Sequence, residues 1–223
     1  MSPQWSKDLS SVDAALREEY KSPRHHNKAN PFEELIFILL SSQTNESNYL
    51  QTYQKLKRAF PRRTDLRGAS SSAIRGAIVG GGLGERKARQ LIKIVKIIFG
   101  RFGALHLNTL KHWANSDAEE FLTALPGIGK KSARCIMMYS LNRAVFPVDT
   151  NVFRIMKRWN WWKLPGSIRK HEDAIQGFVP KELRYSLHVN LVAHGRSVCV
   201  PKIPKCGRCV IRIHCRYVGE SAQ

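Results

Sequence analysis

Cys199, Cys206, Cys209 and Cys215 follow one another as C-x6-C-x2-C-x5-C within 17 residues near the C-terminal end. Four thiolates in so short a stretch can converge on one centre, and all-cysteine ligation suits tetrahedral zinc or a [4Fe–4S] cluster. Zinc modules usually present two close pairs. One pair flanked by longer arms favours iron–sulfur, although spacing alone leaves both open. Four buried free thiols are the competing reading, but Lys202, Lys205, Arg208, Arg212 and Arg216 make the segment too polar for a core. The same cations would offer a basic surface to phosphate, so the centre reads as a docking element for a polyanion rather than a redox catalyst. Cys135 stands apart, beside Ile136 and Met137 on an expected helix, and reads as core.

A second constellation pairs an amine with a carboxylate. Residues 125–133 read LPGIGKKSA, a glycine-rich turn running into a helix that contains Ala133, Ile136, Met137 and Ser140. Such a turn, through Gly127, Gly129 and Lys130, binds phosphate by backbone N–H groups and the helix dipole without reading bases. A nucleotide-binding P-loop is excluded, because Ala124 replaces its first glycine and Lys131 its Ser or Thr. Lys131 has a plain reading as a phosphate contact. With Lys130 and Arg134 beside it and partial burial, its amine would also lose its proton more easily and become nucleophilic. Asp149 is the only acid between Leu125 and Lys170, among ten lysines and arginines. That surround keeps it ionised. Its plain role is to cap the helix starting Asp149-Thr150-Asn151-Val152-Phe153. Together the two groups suit chemistry on a deoxyribose.

Composition limits what these groups act on. The 223 residues can bury a core in one domain or two small ones, and 37 Lys and Arg against 17 Asp and Glu give a formal charge of +20. Nucleic acid is the leading partner for such a chain. No apolar run approaches the ~20 residues that span a bilayer. Asp8, Asp13, Glu18 and Glu19 in the polar N-terminal stretch fit neither a signal peptide nor a mitochondrial presequence. An intracellular, reducing location is expected, where cysteines serve metals or cores rather than disulfides.

The elements that must position these residues are helical. Leu35, Ile36, Leu39 and Leu40 share helical spacing, as do Leu50, Tyr53, Leu56 and Phe60, and then Leu91, Ile92, Val95 and Ile98. No strand pattern competes. Ser116 followed by Glu119 predicts a capping box, and Pro180 predicts the first turn of a helix through Tyr185, Leu187 and Leu191. Glycines break the helices at residues 80–84 and 125–129.

With these residues in view, the chain resembles the endonuclease III family of helix-hairpin-helix DNA glycosylases. The likeness rests on LSSQTNE at residues 40–46, the Gly82-Leu83 loop, LPGIGKKSA, VDTNVFR from Val148, and His194-Gly195-Arg196 leading into the cysteines. The resemblance implies a mainly α fold of two helical domains. Residues 24–142 would form a helical barrel with the helix-hairpin-helix motif, and residues 1–23 and 143–223 a second domain holding the [4Fe–4S] cluster, with the active site in the cleft between them. It makes Lys131 the nucleophile, Asp149 the catalytic aspartate, and Gln43 and Leu83 the residues that fill the space left by an extruded nucleotide. The implied enzyme is a monomeric DNA glycosylase and abasic-site lyase of base excision repair. It acts on double-stranded DNA with a damaged or modified base, in the cytoplasm, nucleoid or nucleus and without a membrane.

The implied reaction flips the damaged nucleotide from the stack, forms a Lys131 Schiff base at the sugar and nicks the strand by β-elimination. Oxidised pyrimidines are the expected substrates. Asn151 replaces the histidine common in endonuclease III, and residues 146–151 also resemble plant 5-methylcytosine glycosylases, so modified cytosine or a mismatched pyrimidine is the alternative. Two other classes compete: a non-catalytic metal-bearing DNA-binding module, and a zinc-ribbon-like nucleic-acid binder.

Overall fold

A computed structural model describes residues 3–78, 84–159, 167–215 and 217, with side chains from Asp8 onward. All regular structure among these residues is helical. In chain order the α-helices are α1 (Pro3–Tyr20), α2 (Pro31–Ser41), α3 (Glu46–Ala59), α4 (Ser71–Ile78) and α5 (Gly84–Phe102). They continue with α6 (Asn115–Ala124), α7 (Lys130–Leu141), α8 (Thr150–Arg158), α9 (Glu172–Phe178) and α10 (Arg184–Ser197). No helix among the described residues is long and apolar enough to cross a membrane. The chain divides into two compact units, Asn27–Arg143 and Met1–His26 with Ala144–Gln223.

In the first unit α2 is the central element. Pro31 pre-sets its first turn, and the Asn30 side chain accepts from the amides of Phe32 (3.1 Å) and Glu33 (3.2 Å), so two orphan donors are met at once. Leu35, Ile36, Leu39 and Leu40 are all buried, and so are Phe32, Phe37 and Ile38 on the remaining faces. A helix apolar all round must be enclosed, and α2 packs against α3, α5 and α7. α5 contributes Leu91, Ile94, Val95 and Ile98, and α7 contributes Ala133, Ile136 and Met137, with Cys135 also buried. Arg134 is 2% exposed and its Nε lies 2.8 Å from the Glu119 carboxylate, which ties α7 to α6. Removing one partner of so buried a pair typically costs about 3–5 kcal/mol.

That pairing explains one departure from the sequence reading. No capping box forms at Ser116, because the cap lies two residues earlier, at Ala114, and Glu119 turns to Arg134. Ser116 bonds the neighbouring Asp117 carboxylate instead. The buried cation outcompetes an exposed amide for the carboxylate.

The second unit packs α1, α8 and α10 around Leu9, Val12, Leu16, Phe146, Val152, Ile155, Leu187 and Leu191. Pro180 does not open α10 directly. It precedes a single 3-10 turn, Lys181–Leu183, and α10 follows from Arg184. The Arg184 guanidinium accounts for the offset, since it bonds back to the carbonyls of Val179 (2.9 Å), Gln176 (2.7 Å) and Ala144 (2.7 Å).

Candidate active site

The glycine-rich turn joins α6 to α7. Gly127 lies at φ +84°, a left-handed conformation that a side chain disfavours, and its amide neighbour Ile128 closes the turn onto the Leu125 carbonyl at 3.1 Å. Leu125 and Ile128 point inward and are buried, so Gly127 and Gly129 are left on the surface. Gly129 is the N-cap of α7, and the first helical bond runs from Ala133 to its carbonyl at 2.9 Å. The amides of Lys130, Lys131 and Ser132 therefore lie ahead of the intrahelical ladder, at the positive end of the dipole. Lys131 is half-buried in the first turn of α7, beside an equally half-buried Lys130. Gln43 follows α2, exposed and left-handed at φ +53°, with its Oε1 accepting from Arg86 at 2.8 Å. Leu83 lies outside the described residues.

Asp149 belongs to the second unit. The chain before it is held without regular structure: Phe146 and Val148 are buried, the Phe146 amide donates to Gln176 at 2.7 Å, and the buried His188 Nδ1 pairs with the Pro147 carbonyl at 2.9 Å. Asp149 is then the N-cap of α8, its Oδ1 accepting from the Val152 amide at 2.8 Å. The other oxygen, Oδ2, accepts from Asn151 Nδ2 at 3.0 Å. The capping role read from the sequence is thus present. It fixes a half-buried carboxylate in one orientation.

From Asn151 the bonding continues. Asn151 Oδ1 accepts from Arg154 Nη2 at 2.9 Å, and the same nitrogen reaches the Gly195 carbonyl at 2.9 Å while Nε reaches the Cys199 carbonyl at 3.0 Å. A chain of side chains thus connects Asp149 to the first cysteine. Sequence reading missed Arg154, which is half-buried and whose carbonyl partners lie 41 and 45 residues along the chain.

Cys199, Cys206, Cys209 and Cys215 line one small pocket with Trp159, Val198 and Pro204 around them. None is in a disulfide. Among the described residues, no three His, Cys, Asp or Glu side chains converge on a point that one metal ion would occupy. Two groups address the sulfurs. Arg158 Nη1 donates to Cys199 Sγ at 3.2 Å and also to the Val200 carbonyl at 2.8 Å. His194 Nε2 lies 3.4 Å from Cys209 Sγ, and its Nδ1 lies 2.9 Å from the Tyr20 hydroxyl. Burial pushes the His194 imidazole down to about 4, so it is neutral at physiological pH. A neutral ring that takes the Tyr20 proton at Nδ1 carries its own proton on Nε2, aimed at the sulfur. Burial likewise pushes the Cys209 thiol up to about 11, and the three other cysteines add to the rise. A metal centre removes that cost by replacing the protons.

The sequence pattern of the HhH-GPD superfamily, base excision DNA repair proteins, matches residues 36–181, more than half of the chain. The chain belongs to this superfamily. It is a DNA glycosylase of base excision repair. Endonuclease III of Thermotoga maritima is 28% identical over 207 residues, 92% of either chain. In three dimensions the chain matches an endonuclease III captured as a covalent intermediate with DNA, at a TM-score of 0.84 and 21% identity, over 98% of this chain and 99% of that one. A thermostable thymine-DNA glycosylase matches at a TM-score of 0.81 and 19% identity, over 96% of this chain and 98% of that one. The matched stretch spans α6, the Leu125–Gly129 turn, α7 and Asp149.

Proposed function

We propose that this glycosylase is bifunctional, removing an oxidised pyrimidine from double-stranded DNA inside the cell and then cutting the strand at the abasic site. The observation that carries the reading is Lys131 in the first turn of α7, directly behind a turn built to receive phosphate. A flipped nucleotide whose phosphate sits on that turn brings its sugar to the amine. Its fold is shared with an endonuclease III that forms a covalent intermediate with DNA.

In the proposed reaction Asp149 stabilises positive charge growing at the sugar C1′ as the bond to the base breaks, and helps to take the proton from the attacking amine. Lys131 forms the new C1′–N bond. The C1′–O4′ bond then breaks, O4′ taking a proton, and the protonated imine so formed acidifies the neighbouring C2′ proton, whose loss expels the 3′ phosphate. Gln43 and Leu83 are proposed to occupy the vacated position in the duplex, and Gly127, Gly129 and Lys130 to hold the backbone.

The four cysteines fit a [4Fe–4S] cluster by their chemistry: an all-thiol set around one pocket, with an arginine donating to one sulfur and a neutral histidine 3.4 Å from another. The cluster would organise the basic loop that follows α10. No step of base excision is routed through it.

Borohydride reduction tests the reading, because only an imine is trapped as a covalent protein–DNA adduct. On a duplex with one thymine glycol, the wild type should be trapped and Lys131→Ala should not, while binding to DNA persists. Equal loss of binding would make Lys131 a phosphate contact. Asp149→Asn keeps a good cap and should slow excision without a large fall in stability. A panel of oxidised, methylated and mismatched pyrimidines separates oxidised-base repair from the modified-cytosine alternative.

A further inference from the structure

Gln43 stands in the short turn between α2 and α3, and both sides of that turn are fixed. On the α2 side, side chains take successive carbonyls at the helix end, where no partner exists within the helix. Ser41 Oγ donates to Ile38 at 3.0 Å, Ser42 Oγ to Leu39 at 2.8 Å, and the buried Lys87 Nζ, from α5, to Leu40 at 2.7 Å. On the α3 side Asn45 is the cap, accepting from the Asn48 amide at 2.9 Å. Between these anchors Ser42, at φ −64° and ψ 132°, and Gln43, at φ +53°, follow the course of a type II turn, whose third position ordinarily takes glycine or asparagine. Glutamine costs conformational energy there that glycine would not. Strain of this kind at an exposed turn points to a use for the side chain.

The neighbour that holds this side chain is Arg86, beside Lys87 in the first turn of α5. Its Nη2 donates to Gln43 Oε1 at 2.8 Å. A guanidinium offers only donors, so the amide atom it faces must be the oxygen, and the Gln43 NH2 is turned away from it. An acid is closer in sequence, yet the Glu85 carboxylate pairs with Arg75 at 3.5 Å and with Arg89 at 3.8 Å. Arg86 is thus engaged with a neutral amide 43 residues away. Two adjacent cations on α5 therefore grip the same turn, Lys87 through its backbone and Arg86 through its tip.

We propose that Arg86 is a positioning residue for recognition of the opened duplex, holding the Gln43 amide in one orientation before DNA arrives. The role rests on the reading above that Gln43 occupies the position a flipped nucleotide vacates. A glutamine loses much rotamer freedom when it is fixed, and a side chain ordered beforehand does not bear that cost at the moment of binding. Both amide hydrogens and the second lone pair of Oε1 stay available to the bases it meets.

Equilibrium binding tests the role without requiring catalysis. The probes are two duplexes of one sequence, one undamaged and one carrying a tetrahydrofuran abasic analogue, which offers no aldehyde and so forms no imine. The ratio of their dissociation constants reads how well the vacated position is filled. Loss of general attraction between a cation and DNA falls on both duplexes alike and leaves the ratio unchanged. Arg86→Ala should lower the preference for the abasic duplex about threefold to tenfold, the worth of one hydrogen bond. Gln43→Ala should lower it at least as far, and the double variant no further than Gln43→Ala alone, because the arginine acts through the amide. Both residues are exposed, and matching thermal melts confirm that the variants keep the fold.

An unchanged ratio in Arg86→Ala would overturn the proposal, and so would losses that add in the double variant. A weaker grip on both duplexes with the ratio intact, and a salt slope reduced by about 0.9, would make Arg86 a phosphate contact instead. A Gln43→Ala protein that keeps the wild-type ratio would remove the placement of Gln43 itself, and the role of Arg86 with it.

Discussion

Adding one methyl group at Gly195 should damage both stability and base excision. Gly195 lies buried on α10 where α8 crosses it. A Cβ there would stand 2.6 Å from the Asn151 Cβ, 3.0 Å from Asn151 Oδ1 and 3.1 Å from Arg154 Nη2. Carbon atoms settle at about 3.5–4.0 Å, so roughly 1 Å must be found. Asn151 Cβ is fixed to the α8 backbone and cannot swing aside as a side-chain tip would. The helix must move. Overpacking of this kind costs about 1–3 kcal/mol, against which alanine returns up to about 1 kcal/mol of helix propensity. The net loss of about 1–2 kcal/mol lowers Tm by about 3–6 °C in a chain of this size. Asn151 also holds Asp149 at 3.0 Å, so the same movement disturbs the carboxylate, and a misplacement of about 1 Å can cost on the order of 100-fold in rate. Gly177 is the control, because a Cβ there meets nothing within 4 Å and the position is helical. Thermal melts and single-turnover excision should show Gly195→Ala losing both properties and Gly177→Ala losing neither. A Gly195→Ala protein that melts and excises like the wild type would refute the packing argument and the link from α10 to Asp149.

Three further outcomes are expected. Gly127→Ala should cost about 1–2 kcal/mol, because the left-handed backbone at φ +84° penalises a Cβ while the obstructing Gln90 tip can move away; unchanged melting and DNA affinity would count against the turn's role. Burial raises Glu34 in the folded state from 4.5 to about 7, so the stability it contributes is present below pH 4.5 and lost as pH rises through 7. Urea titrations should show wild type losing about 3 kcal/mol relative to Glu34→Gln between those limits, and parallel curves would contradict it. Cys206→Ala should strip iron, sulfide and visible colour from the purified protein, whereas a full complement of iron would remove this cysteine from the ligand set.

The local features of this chain were legible because short-range rules determine them. The apolar spacing of Leu35 to Leu40 gives a helix wherever it is placed, and an aspartate before Thr150-Asn151-Val152 caps that helix because its own amides lie within reach. The same holds for the hairpin, where glycine at 127 follows from a left-handed backbone. Ser116 shows the limit of such rules. Its motif was correct in form, but Arg134, distant in sequence, claimed Glu119 at 2.8 Å. The rest was illegible for the same reason. Arg154 meets Cys199 across 45 residues, and nothing in the neighbourhood of either predicts that meeting.

Glu34 carries the point furthest. Beside Glu33, in sequence, it looks like the second member of an exposed acidic pair at a helix N-terminus, where the dipole favours both. In the fold the two acids sit about 100° apart around α2, so one reaches Tyr53 and Lys57 while the other is fully buried and bonds to Asn27 and Lys28. Burying an ionisable group costs free energy unless a partner compensates, and here the Asn27 side chain and the Lys28 amide both donate, one to each carboxylate oxygen, which a glutamine in the same place would not accept from both. The carboxyl is therefore explained by the chain ahead of α2 that it ties down.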